Sequence, residues 1–134
     1  MKQKICIDFD NTIAEIDETW NPIGIKPGVK QAINTLKENF IIAIFSSRNW
    51  PGIYEKYGDT NEFRMTQMVD FLNENGIYHD KIITSDEGKY EAEYYIDDRA
   101  IEFKDNWGEI TTRIMSKFTL SKLDKIVKGL EINE

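Results

Sequence analysis

Two carboxylates separated by one residue, Asp8-Phe9-Asp10, close a short apolar run at residues 4–9 (KICIDF). In an extended chain, residues two apart face the same side. Such a pair repels itself unless a cation lies between the two groups. Mg²⁺, which takes oxygen ligands, would relieve that repulsion and also draw phosphate oxygens. In such a site Asp8 can attack phosphorus and form an aspartyl-phosphate. Asp10 can give a proton to the leaving oxygen and then take one from the water that breaks the intermediate, with one metal neutralising charge and orienting both partners. A second acidic pair, Asp97-Asp98, ends the segment 93–97 (EYYID). Adjacent carboxylates at the end of an apolar strand are costly unless solvated or metal-bound, and Arg99 offers a local partner.

Three further groups fit the same chemistry. Ser46 and Ser47 follow the apolar run 40–45 (FIIAIF), where a hydroxyl and a backbone N–H can hold a phosphate oxygen. Thr12 follows the first acidic pair. Lys89 lies just upstream of Asp97 and could balance the charge of Asp8 and a transferring phosphoryl group; Lys81 competes for that place. His79, the only histidine, and Cys6, the only cysteine, read as surface and core residues.

The elements that must position these groups follow from the apolar pattern. Residues 4–9 and 40–45 read as buried strands, the second a near-continuous β-branched run of the kind found in sheets covered on both faces. Pro27 and Gly28 open a helix over about 27–38, with Val29, Ala32, Ile33 and Leu36 at helical spacing. Asp59 or Thr60 caps a second helix that stops at Asn75-Gly76. Residues 81–84 and 93–97 read as two more strands. A last helix spans about 119–130, with Leu120, Leu123, Val127 and Leu130 as a core stripe. This alternation predicts an α/β domain with a mainly parallel sheet. Ligands of such sheets bind beyond the carboxyl ends of the strands, which is where Asp8, Asp10, Thr12, Ser46, Ser47, Asp97 and Asp98 fall.

Composition narrows the function. The 134 residues fit a single domain, 1–134, and 24 acidic against 17 basic residues give a net charge of −7, a poor footprint for binding a nucleic-acid backbone. No apolar run reaches the roughly 20 residues of a membrane span. The first ten residues, cut by Asp8, do not resemble a signal peptide. The lone cysteine agrees with a reducing compartment. The expectation is a cytoplasmic protein with no membrane partner.

Together these residues resemble the four motifs of the haloacid dehalogenase superfamily of phosphatases: IDFDNT at 7–12, IAIFSSR at 42–48, Lys89, and YIDDRA at 95–100. The resemblance spans residues 4 to about 104. It implies a doubly wound, Rossmann-like parallel sheet flanked by helices. It implies Asp8 as nucleophile, Asp10 as general acid/base, Thr12 as the residue that steadies the loop, Ser46 as the phosphate-binding hydroxyl and Lys89 as the lysine that orients nucleophile and phosphate. It implies Mg²⁺, replaceable by Mn²⁺, held by the Asp8 carboxylate, the Asp10 backbone carbonyl, Asp97 and, directly or through water, Asp98. A carboxylate at Asp10 sets the chain apart from members that cleave carbon–halogen bonds. Asn11 stands where Gly is common, and Asn tolerates unusual backbone angles. About 35 residues separate the first two motifs and about 42 separate Ser46 from Lys89, which leaves no room for a separate cap domain.

The segment 13–26 has no clear periodicity and is expected to form a flap beside the site, with Trp20 near the substrate; Arg48 opens a second wall. The expected substrate is a small phosphorylated metabolite, a sugar phosphate or nucleotide. The alternative is a polynucleotide-end or phosphoprotein phosphatase. An open site is compatible with a homo-oligomer. A receiver-like or non-catalytic phosphoryl-binding module is disfavoured, because the mid-chain strand ends in Ser46 rather than Asp and no motif position is degraded.

Overall fold

The computed structural model describes residues 2–132. The chain falls into two compact units, Met1–Asp98 and Arg99–Glu134, where the sequence suggests one domain.

The first unit is built on a four-stranded, all-parallel sheet in the order β5-β4-β1-β6. Its strands are β1 (Gln3–Asp8), β4 (Phe40–Ser46), β5 (Lys81–Thr84) and β6 (Tyr94–Ile96). Two further strands, β2 (Ala14–Ile16) and β3 (Pro22–Ile25), form a separate antiparallel hairpin. Helix α1 (Val29–Leu36) precedes β4, and α2 (Pro51–Tyr54) and α3 (Asn61–Glu74) follow it. Thr60 caps α3, its hydroxyl accepting from the Phe63 N–H at 3.1 Å, which satisfies one of the donors a helix start leaves open.

Register explains the core. Ile5 pairs with Ile42 and Ile7 with Ile44, so these four project from one face. There they pack with Ile33 of α1 and with Met68 and Leu72 of α3 in one buried cluster. Alternation sends Cys6, Asp8, Ala43, Phe45 and Tyr95 to the opposite face. Both helices thus cover the same face of the sheet.

The second unit carries α4 (Trp107–Ile132). It begins twelve residues before the expected start at 119, and its stripe is not core: Leu120, Leu123 and Val127 are 67%, 53% and 51% exposed. Leu130 lies outside the residues whose side chains are described. Among the described residues no helix is long and apolar enough to cross a membrane.

Candidate active site

The first strand ends at Asp8, one residue before the expected Phe9, and a turn follows Asp10. In that turn the Phe9 carbonyl accepts from the amides of Thr12, Ile13 and Ala14 at 3.4, 3.0 and 3.0 Å. Asn11 takes a positive φ of 61°, which Asn tolerates better than most residues. Phe9 itself is fully buried, edge-on to Phe71 with ring centroids 5.7 Å apart. The Phe9 N–H still donates to the Phe45 carbonyl at 2.9 Å and Asp10 bridges to Ala14, so the turn begins only after Asp10; the two acids nonetheless enter different surroundings.

Asp8 joins the distant acidic pair. Strand β6 lies parallel to β1, with Ile7 opposite Ile96, so Asp97 and Asp98 emerge beside Asp8. One carboxylate oxygen from each of the three lies within 4.8 Å of the others. Asp8 is half-buried and the other two are exposed. Burial, first, and then the charge of Asp97 and a hydrogen bond with Asp98 push the Asp8 carboxyl up to about 8. Three oxygen donors so close together, one of them pushed toward its neutral form by burial and by the others, fit the ligand set of a hard divalent cation. The Thr12 hydroxyl reaches Asp8 Oδ2 at 3.5 Å.

Asp10 is enclosed instead. It is 6% exposed, and both oxygens are held: Arg48 Nε donates to Oδ1 and Ser46 Oγ donates to Oδ2, each at 2.8 Å. The Arg48 backbone N–H donates to Ser46 Oγ at 3.1 Å. Ser46 is itself fully buried. Its single hydroxyl proton is used on Asp10, so the phosphate-binding role expected of it is not the one it performs here. Arg48 also departs from expectation. It is completely buried, its Nη1 donating to Gln67 Oε1 at 2.8 Å and its Nη2 to the Trp20 carbonyl, so it does not face substrate. Trp20 contributes that carbonyl, which also accepts from Arg64 Nη1 at 2.9 Å. It is held in place by a positive φ of 65° at the tip of the β2–β3 hairpin.

A cavity of about 440 Å³ opens beside Asp8 and Asp97 on the sheet face that α1 and α3 leave uncovered, lined also by Ser47, Lys89, Trp50, Tyr90 and Tyr95. Asp10, Thr12, Ser46, Arg48, Trp20 and Asp98 are absent from its lining. Lys89 stands over the Tyr95 ring, its Nζ 4.7 Å from the centroid, whereas the rival Lys81 begins β5 at the opposite end of the strands and is absent from the lining. Cys6 lines the floor. Burial, then the charges of Asp8 and Asp97, raise its thiol, which keeps it a neutral apolar wall. A larger depression of about 560 Å³ along α3 is lined by Glu62, Asp70 and Glu74 without any Lys or Arg; Gln67 and Phe71 border it, but Asp8, Asp10, Asp97, Ser46, Ser47 and Lys89 do not.

Gln67 and Arg64 carry no sequence signal and Asp59 carries only that of a helix cap: a glutamine and an arginine on a helix, and an aspartate before it, are ordinarily solvated. Only the enclosure of Arg48 gives them their importance.

No family model, curated protein or solved structure matches the chain.

Proposed function

We propose that this protein is a Mg²⁺-dependent phosphomonoesterase that works through an aspartyl-phosphate on Asp8. The observation that carries this reading is the convergence of Asp8, Asp97 and Asp98 within 4.8 Å, next to a cavity that also presents Lys89 and Ser47. The four-motif resemblance supports it, as does the placement of these groups beyond the carboxyl ends of neighbouring parallel strands, where open α/β sheets bind ligands. The finer fold reading, a doubly wound Rossmann-like sheet without a cap domain, belongs to the same proposal. The pieces inserted between β1 and β5 are a short hairpin and three helices, too little for a lid of their own.

Asp8, Asp97 and Asp98 would hold the cation, with the Asp10 backbone carbonyl as a fourth donor; when bound, it supplies charge neutralisation for phosphate and carboxylate together. The chain's own residues do the rest. With the cation bound, Asp8 would give up its proton to solvent and attack phosphorus as the ester P–O bond breaks, and Asp10, having taken up a proton from solvent, would pass it to the departing alkoxide. Water then attacks the phosphoaspartate, Asp10 takes its proton, and inorganic phosphate leaves with Asp8 restored. Lys89 and the Ser47 hydroxyl stand where the phosphoryl oxygens gather charge. The cavity volume lies in the range that small metabolites occupy, about 300–1,000 Å³, which favours a sugar phosphate or nucleotide over a macromolecule. The net charge of −7 disfavours a polynucleotide end.

The test is phosphate release from a panel of sugar phosphates, nucleotides and an aryl phosphate, with and without Mg²⁺. Release that requires Mg²⁺ and disappears in Asp8→Asn is expected. Release that survives unchanged in Asp8→Asn would overturn the mechanism.

A further inference from the structure

We infer that Arg48 is a positioning residue: its buried guanidinium fixes the Asp10 carboxylate against the β2–β3 hairpin and α3, and so sets how well Asp10 serves the leaving group. The inference rests on the phosphatase reading above.

Three segments distant in sequence meet on this one side chain. Nε holds Asp10, Nη1 holds Gln67 of α3, and Nη2 holds the carbonyl of Trp20 at the hairpin tip. The stem is enclosed as well, with the guanidinium 5.2 Å from the centre of the Phe9 ring. Each anchor is itself constrained. Gln67 Nε2 donates to Asn21 Oδ1 at 2.8 Å. Asp17 Oδ1 gathers the Thr19 and Asn21 amides, both at 2.9 Å, into the turn that presents Trp20. Arg48 therefore cannot shift without moving the hairpin or the helix.

The consequence for Asp10 follows from lone pairs. A carboxylate offers about four acceptor positions. Arg48 Nε takes one on Oδ1 and Ser46 Oγ takes one on Oδ2, which pins the plane of the group and leaves one position on each oxygen for a proton in transit. A planar fork imposes this orientation; a lysine ammonium, a point charge on a flexible stem, does not. A displacement of about 1 Å in such a group can cost on the order of 100-fold in rate.

Arg64 provides an internal contrast. It reaches the same Trp20 carbonyl and pairs with Asp59, but has no bond to Asp10. It shares the hairpin with Arg48 and not the carboxylate.

The experiment compares kcat/KM for an alkyl phosphate and an aryl phosphate with Mg²⁺. An alkyl ester needs its leaving oxygen protonated and a nitrophenyl ester does not, so the ratio of the two reports on Asp10 at the leaving-group step. Arg48→Gln and Arg48→Lys should each lower the alkyl-to-aryl ratio by about 10- to 100-fold, in the direction of Asp10→Asn, while Arg64→Gln leaves it unchanged. Should Arg48→Gln fail to fold, Arg48→Lys decides alone. An unmoved ratio in a folded Arg48 variant, with both esters slowed alike, would overturn the inference and leave the phosphatase reading intact. So would an equal shift in Arg64→Gln, which would place the effect in the hairpin. A wild-type protein that hydrolyses neither ester would overturn both together.

Discussion

Asp8 and Asp10 stand two residues apart and live in opposite electrostatic worlds. Asp8 faces two exposed carboxylates and a half-open cavity, and its carboxyl is driven up to about 8. Asp10 is buried, ion-paired with Arg48 and hydrogen-bonded by Ser46. Arg48 is paired directly with Asp10, whereas Asp8 shares its cavity with Lys89 and sits against Asp97 and Asp98. Pairs of carboxylates in divergent surroundings are how active sites give one acid a different task from its neighbour. The first site is strained in a way that a cation would relieve; the second is complete without one. The separation is one of partners: Asp8 meets the end of β6, and Asp10 meets Ser46 and Arg48 after β4.

The sharpest way to break this contrast is to neutralise the first acid. Asp8→Asn should cut phosphate release by at least about 10³-fold, as expected when a nucleophile is removed. Its effect on stability should have the opposite sign. Below about pH 4, folded and unfolded chains both carry the Asp8 proton. From there to about 8 the unfolded chain releases it while the native carboxyl keeps it, so the metal-free fold loses stability steadily across that window, and above it the deficit is constant. Asp8→Asn should therefore be more stable than the wild type in metal-free urea titrations, with an advantage that grows from about pH 4 to about pH 8. No change across that window would show that Asp8 is not under the stress described.

The second acid should behave the other way. Asp10→Ala leaves a buried guanidinium unpaired and should cost about 3–5 kcal/mol, as breaking a buried ion pair does. Replacing Asp10 and Arg48 together should recover much of that loss in a double-mutant cycle. Equal effects of Asp8→Ala and Asp10→Ala on unfolding would erase the distinction.

Cation binding sharpens the comparison further. A ligand that displaces one proton from Asp8 should bind more tightly as pH rises, by up to about tenfold per unit, until about pH 8. Calorimetry should show proton release on Mg²⁺ addition. Asp97→Asn removes the largest charge acting on Asp8, so the rise should end at a lower pH while the affinity itself falls. The smallest effect belongs to the second unit: Leu123→Ala, at a position 53% exposed, should alter stability by less than about 0.5 kcal/mol.

Much of this arrangement was legible from residue types alone. Strands β4 and β5 and the Thr60 cap follow from β-branched runs and a hydroxyl before an amphipathic segment. The meeting of Asp8 with Asp97 and Asp98 follows from placing each after an apolar strand of a parallel sheet. The hairpin at 14–25 was hidden, because its strands are three and four residues long and too short to show alternation. Arg48 was misplaced for a different reason. An arginine after two serines looks like a solvent-facing anion binder, and only the fold brings it to the buried Asp10 carboxylate. The exposed stripe of α4 shows a related limit: periodicity identifies an apolar face but not what covers it.

Strand β6 has a consequence for how the site comes apart. It is three residues long, about half exposed and last in the sheet order, hydrogen-bonded as a strand to β1 alone among the described strands. Edge segments with so few contacts open at free energies well below that of global unfolding. Asp97 and Asp98 hang from its end, so each opening carries two of the three clustered carboxylates away from Asp8. Amide protons of residues 94–96 should exchange with solvent sooner than those of β1 and β4. Mg²⁺ that joins Asp8 to Asp97 should slow that exchange selectively, so that occupancy of the site can be read from the protection of one strand.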